Sequence, residues 1–322
     1  MEGILSVRDL KVTYRTPTTV VEAVGGISFE LFPGEILGLA GESGCGKTSV
    51  ASALMRILPY TTEINGEAYL EGTEILSLPE EEMSRVRWRR IAMVFQNAQA
   101  ALNPTKTIGY QISEPLMVHL GYSRRRAQEE AASLLARVRI DPKRLKDYPH
   151  QLSGGMRQRA VIAMAIACRP TVLIADEPTT ALDVMVQAQI IELLKELREE
   201  YGLSLIYISH DLLLLAEICD RIAVMYAGLV AEVAPTGELF RRPLHPYTQK
   251  LLGAVTRLGV RTQRLETIPG APPRLAPPPP GCRFASRCHR AAETCREAVP
   301  PLEPAGRGRT VACWKWREDV PS

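Results

Sequence analysis

The stretch Gly41-Glu42-Ser43-Gly44-Cys45-Gly46-Lys47-Thr48 fits the pattern G-x-x-x-x-G-K-[ST], and it sits between an apolar run at 36–40 and a helix-forming run at 47–56. No other feature of this chain restricts its fold as tightly. Glycines 41, 44 and 46 allow successive backbone N–H groups to turn inward around phosphate oxygens, and the N-terminus of the following helix adds a favourable dipole. Lys47 supplies a point charge for the β- and γ-phosphates, and Thr48 supplies a hydroxyl for Mg²⁺. Ser43, Cys45 (a small filler) and Ser49 complete the candidate nucleotide set. A chance glycine-rich turn is the competing reading, and the strand–loop–helix context argues against it.

That context predicts an α/β fold, and the rest of the chain agrees. Strands are predicted at 5–14, 23–31 and 36–40, as a pair within 67–76, and at 91–96, 172–175 and 204–209. Helices are predicted at 47–56, 80–90, 123–139, 155–168 and 186–201, with the whole stretch 97–152 mainly helical. Alternating helix and strand implies a mainly parallel sheet covered on both faces. With 322 residues, 46% of them hydrophobic, the chain can bury one substantial core and carry a small appendage. No internal repeat is visible.

No apolar run approaches the ~18 residues that cross a bilayer. The N-terminus lacks the basic start and apolar stretch of a signal peptide. The expectation is a cytosolic chain whose membrane role, if any, comes through partners, and whose seven cysteines are thiols or metal ligands. The net charge of +3 is unevenly placed: from residue 258 onward there are 11 Lys/Arg against 6 Asp/Glu, and 11 of the 24 prolines. The expected division is therefore 1–257 and 258–322, the second a separate, poorly helical module. Its basic balance suits RNA, a phospholipid surface or an acidic protein face, the last with least special pleading.

A second phosphate-site element is the apolar run Val172-Leu173-Ile174-Ala175 followed by Asp176-Glu177. Asp176 is placed to hold Mg²⁺, and Glu177 to polarise the attacking water and accept its proton. Alone, an ordinary strand exit would look the same.

Leu152-Ser153-Gly154-Gly155-Met156-Arg157-Gln158-Arg159 resembles the LSGGQ signature of ATP-binding-cassette (ABC) proteins, with Met156 in place of the usual Gln. The resemblance implies a nucleotide-binding domain with a RecA-like parallel core, an antiparallel β subdomain and a helical subdomain at about 97–154. It further implies that Ser153, Gly154 and Gly155 cap the γ-phosphate of ATP held by the opposite subunit. Gln96 matches the Q-loop glutamine, which senses Mg²⁺ and water. Asp183 matches the D-loop, and His210 the switch histidine that contacts the γ-phosphate and orients the water and Glu177. Tyr14 matches the aromatic that stacks on adenine, with core packing as its rival reading.

Within the family the chain is most similar to the ATPases of dipeptide, oligopeptide and nickel importers. Tyr148-Pro149-His150-Gln151, the stretch 179–184, Ala101-Leu102-Asn103-Pro104 and the stretch 243–248 carry this likeness. Asn97-Ala98 departs from it, standing where relatives have Asp-Pro. The implied function is ATP hydrolysis powering import of di- or oligopeptides, with nickel or another small solute as alternative cargo. From another class, a soluble ABC ATPase acting on nucleic acid or ribosomes and a cassette for iron–sulfur assembly stay open. The implied partners are a second ABC ATPase subunit (a paralogue), two transmembrane permease subunits and, through them, an extracytoplasmic substrate-binding protein, with no nucleic acid. The implied location is the cytoplasmic face of the membrane.

Cys282, Cys288, Cys295 and Cys313 are spaced x5, x6 and x17, without the C-x2-C knuckle that zinc ribbons favour. A [4Fe–4S] cluster needs four thiolates and tolerates varied spacing, and similar tails close the peptide-importer ATPases. Zinc and unliganded thiols remain open readings, as does His289 as a substitute ligand. A segment so short and proline-rich buries too little surface to hold itself, so bound metal would act as its core. Cys168 and Cys219 read as core.

Overall fold

The computed structural model describes residues 3–96, 98–254 and 268–319. They form two compact units, one from Leu70–Ile208 with Leu31–Glu35 and residues before Ser6, the other from Ser6–Glu30, Ile36–Tyr69 and everything described from Ser209 onward. The expected boundary at 257/258 lies outside the described residues, as does Asn97.

In the first unit, strands Ile91–Val94, Val172–Asp176 and Ser204–Ser209 run parallel, with Ile91 opposite Val172 and Val172 opposite Ser204. Every residue of the three is buried. That is why they read as continuous apolar runs rather than alternating ones, since both faces of a parallel sheet are covered. Helices Ile108–Leu120, Arg124–Arg137 and Gly154–Ala165 pack on one another. Thr107, Ser123 and Ser153 cap them by accepting from the N–H of Tyr110, Arg126 and Met156. Each cap satisfies an N–H that the helix itself cannot.

The second unit carries strands Val20–Leu31, Leu5–Arg15 and Thr62–Leu70, side by side in that order. Its other strands are Glu303–Gly306, Arg309–Val311, Leu229–Pro235, Arg221–Tyr226 and Ile36–Ala40, again in spatial order. Only the last pair is parallel, Leu37 standing opposite Arg221; the others are antiparallel. The tail hairpin thus continues the sheet, with Val311 opposite Glu232 and Thr310 opposite Val233.

Three predicted elements differ. The helix expected at 80–90 is Glu80–Val86, because Arg87 is extended and Trp88 takes φ 68°. This turn lets Arg87 pair with Glu80 at 2.5 Å and Arg90 with Glu71 at 2.6 Å, so tertiary pairing overrides local helix preference. The helix after the glycine loop ends at Leu54, with Arg56 at φ 50°. The pair expected within 67–76 is Thr62–Leu70 and Thr73–Glu74.

Candidate functional site

In the second unit, the buried strand Ile36–Ala40 runs into the glycine loop, which opens helix Lys47–Leu54. The glycines are required by the backbone. Gly41 has φ 148°, and a Cβ there would stand 2.2 Å from the Met225 carbonyl oxygen. Gly46 has φ 104°, and its Cβ would stand 2.5 Å from the Ala23 carbonyl oxygen. Lys47 is buried, and its Nζ donates to the carbonyls of Gly41 at 2.8 Å and Glu42 at 3.2 Å. Ser43, Gly44 and Thr48 are exposed on the loop. Cys45 is buried beneath it, and that burial raises its thiol pKa despite Lys47 nearby. The Tyr14 hydroxyl lies 3.0 Å from Ser49 Oγ, which ties the half-buried tyrosine to the helix that begins at Lys47. His210 is exposed immediately after strand Ser204–Ser209, and the next residue, Asp211, caps helix Leu212–Ile218.

In the first unit, strand Val172–Asp176 delivers Asp176, 1% exposed, and then Glu177. Glu177 takes φ 44°, and its N–H donates to the Ile208 carbonyl at 3.0 Å. A left-handed conformation at a non-glycine residue costs of order 1 kcal/mol and is held here by that main-chain bond. Glu177 Oε2 accepts from Gln96 Nε2 at 2.9 Å and from the Thr180 hydroxyl at 2.9 Å. Gln96 and Glu177, 81 residues apart, are therefore brought together. Thr180 was not singled out; its place three residues after Glu177 was the available signal.

Ser153 Oγ accepts from Met156 N at 3.3 Å at the start of helix Gly154–Ala165. A Cβ on Gly155 would come 2.7 Å from Val186 Cγ1, so the glycine also permits this helix start to approach the next helix. An open cleft of about 430 Å³ lies there, lined by Ser153, Gly155, Met156, Arg139, Arg159 and Gln189 among others. Asp183 caps helix Val184–Tyr201, its Oδ1 accepting from Val186 N at 3.0 Å. Val184 and Met185 beside it are 78% and 71% exposed.

Cys282, Cys288, Cys295 and Cys313 line one small cavity in the second unit, together with His245, Phe284 and Arg290 among others. His289 is not among the lining residues. The backbone N–H of Arg290 donates to Cys288 Sγ at 3.4 Å, and those of Phe284 and Lys315 face Cys282 and Cys313. Burial pushes the Cys282 thiol up to about 11 and raises those of Cys288 and Cys313. Among the described residues, no three His, Cys, Asp or Glu side chains are arranged to hold a metal ion. Cys168 and Cys219 are buried, and burial lifts the Cys168 thiol to about 11.

Two buried arginines of the tail, Arg287 and Arg283, reach the loop and its surroundings. Arg287 Nη1 donates to Glu42 Oε2 at 3.0 Å, to Oε1 at 3.3 Å and to the Tyr226 hydroxyl at 3.1 Å. Burial opposes this charge, but the bonds to Glu42 and Tyr226 outweigh it and the guanidinium pKa is raised. Arg283 donates to the Ala227 carbonyl and pairs with Glu22.

The family model described as "ABC transporter" matches residues 24–180, and the "Oligopeptide/dipeptide transporter, C-terminal region" matches 231–295. The oligopeptide transport ATP-binding protein OppD of Escherichia coli (strain K12) is 48% identical over 321 residues, covering 99% of this chain and 95% of the relative. The dipeptide transport ATP-binding protein DppD of Bacillus subtilis (strain 168) is 46% identical over 318 residues, covering 98% and 95%. The chain belongs to the ABC transporter family, in its oligopeptide/dipeptide branch. Among solved structures, this ABC protein is similar to the dimeric, post-hydrolysis state of the ATP-binding cassette MJ0796 bound to ADP and Pi. That likeness has a TM-score of 0.65 at 27% identity, over 72% of this chain and 98% of the other. The C-terminal family match ends at residue 295 and so includes Cys282, Cys288 and Cys295 but not Cys313.

Proposed function

We propose that this ABC ATPase powers the import of di- and oligopeptides through a membrane permease, taking ATP with Mg²⁺ as its fuel. Its partners are the permease and, through it, a substrate-binding protein; no helix among the described residues is long and apolar enough to cross a membrane itself. In this reading it acts as one of two ATPase subunits, the other a paralogue, at the cytoplasmic face of two permease subunits. Residues 1–257 form the nucleotide-binding domain, with its helical subdomain at 97–154, and 258–322 the peptide-transporter extension.

The observation that carries the chemistry is the hydrogen bond from Gln96 to Glu177, which with Thr180 fixes the carboxylate at the end of a central strand. A base held this way accepts a proton as the water oxygen bonds to the γ-phosphorus and the bridging P–O bond breaks. Lys47 and the loop N–H groups hold the β- and γ-phosphates, Tyr14 the adenine, and His210 the γ-phosphate and water. Thr48, Gln96 and Asp176 would hold Mg²⁺, which neutralises charge on the phosphates. Ser153, Gly154 and Gly155 serve the nucleotide of the opposite subunit, and Asp183 the contact between subunits. Glu177→Gln should keep MgATP binding and lose about 10²–10⁴-fold in hydrolysis; undiminished turnover would remove Glu177 from this role.

The tail cysteines are read as ligands of a [4Fe–4S] cluster. Four thiols share one cavity with backbone N–H groups directed at three of the sulfurs, bonds that stabilise cluster thiolates. The group would act as a structural core for the tail. About four irons and four sulfides per chain in anaerobically purified protein is the expected result. Stoichiometric zinc, or no metal, would overturn it.

A further inference from the structure

We propose that Arg287, which belongs to the cysteine-bearing tail, is a positioning residue for the phosphate loop: it neutralises and holds Glu42, so that nucleotide affinity depends on the tail being seated. The proposal rests on the reading of 41–48 as the phosphate site.

Glu42 is the second residue of the loop, and a bare carboxylate there would repel the polyphosphate that the loop is built to bind. Like charges held close together near a protein surface, where water screens them poorly, oppose binding of the polyanion. Arg287 removes that repulsion. It is 8% exposed, and its Nη1 reaches both oxygens of the Glu42 carboxylate while its Nε and Nη2 donate to the carbonyls of Pro269 at 2.9 Å and Ile268 at 3.2 Å. One cation therefore binds tail backbone on one side and loop side chain on the other.

Glu42 is fixed at its backbone as well. Its N–H donates to the Tyr247 hydroxyl at 3.2 Å, and its carbonyl accepts from Lys47 Nζ at 3.2 Å. A shift of Glu42 thus moves an acceptor of the ammonium that meets the phosphates. Arg283 makes a second link. It grips Ala227, and the neighbouring Gly228 donates its N–H to the Cys45 carbonyl of the loop at 2.9 Å. Between the two arginines, Phe284 packs against Tyr226 and Tyr247 with ring centroids 5.2 and 5.3 Å apart. Residues 283–287 therefore touch the loop's supports at three points, and the stretch is bounded by Cys282 and Cys288.

The test is MgATP titration calorimetry on the full chain carrying Glu177→Gln, which reads binding without turnover, with ATPase kinetics on the same variants in the unsubstituted chain. Arg287→Ala should weaken MgATP binding about tenfold, the scale of a lost charged hydrogen bond. It should raise KM to match and change kcat less than twofold. Arg287→Lys should recover part of the affinity. Adding Glu42→Gln to Arg287→Ala should restore binding rather than weaken it further, because the uncompensated charge is gone; loss of folding alone could not produce that recovery. Should Arg287→Ala fail to fold, the pair Arg287→Lys and Arg287→Lys with Glu42→Gln reads the same sign. Unchanged affinity in Arg287→Ala beside lost affinity in Lys47→Ala overturns this proposal alone. Unchanged affinity in Lys47→Ala overturns the phosphate-site reading and the proposal with it.

Discussion

The phosphate loop and the cysteine tail lie in the same compact unit and are held in place by different means. The loop is held by backbone: Gly41 and Gly46 sit at positive φ where a Cβ would strike a carbonyl, and its lysine bonds to the loop's own carbonyls. The tail is held by side chains. Arg309 pairs with Glu232 at 2.9 Å, both buried, and Glu232 also accepts from the N–H groups of Leu244 and His245. Arg283 and Arg287 tie it to Glu22 and Glu42. Backbone constraints tolerate almost no substitution, whereas ionic clamps fail one partner at a time.

The comparison breaks first, and most severely, on the loop side. Gly41→Ala would push a Cβ onto the Met225 carbonyl at a φ that alanine avoids. Rigid overlap with backbone belongs to the small class of substitutions that cost about 4–5 kcal/mol. Thermal or denaturant unfolding should show that loss, with MgATP binding abolished; a variant within about 1 kcal/mol of the parent would mean the loop is more pliable than its glycines imply. On the tail side, Arg309→Ala leaves the Glu232 carboxylate buried without its cation. That should cost about 3 kcal/mol, read by the same unfolding curves. By contrast, Arg317 and Glu303, 77% and 42% exposed, make the kind of surface pair that contributes little. If Arg309→Ala proves as mild as a surface change, side-chain clamping is not what seats the tail.

The same division explains what could be read from the sequence. Gly41, Gly44, Gly46 and Lys47 were legible because backbone constraints fall on consecutive residues, and the parallel strands because burial on both faces writes an unbroken apolar run. Gln96 and Glu177 were each marked through family motifs, but their hydrogen bond spans 81 residues and leaves no local pattern. The bond between Glu42 and Arg287 spans 245 residues and leaves no local pattern. The strands Arg221–Tyr226 and Leu229–Pro235 have no counterpart among the predicted elements, although both are almost wholly buried. The strand Arg309–Val311 is only three residues long, and its pairing with Leu229–Pro235 rests on distant partners. Asp183 was marked for an interface, and its capping bond to Val186 is a second, structural use of the same carboxylate.

The gentlest way to sharpen the comparison is pH. His245 is 4% exposed, caps helix Pro246–Gly253 by accepting from Tyr247 N at 3.0 Å, and lines the cavity of the four cysteines. Burial lowers its pKa to about 4, more than the contact with Ala312 raises it. The folded state therefore stays neutral at His245 while the unfolded chain takes up a proton below about 6.5. Above that value the residue contributes no pH dependence; between 6.5 and 4 stability falls as pH falls, by about 2 kcal/mol at pH 5. His245→Asn keeps an acceptor for Tyr247 N and removes the titration, so its stability curve should be flatter than the parent's by that amount across this window. Whatever packing the substitution loses shifts the whole curve without changing the difference in slope. Parallel curves would mean that His245 takes up its proton in the folded state as in the unfolded chain, and that the buried seam between the tail and residues 245–247 is wetter than its side-chain clamps require.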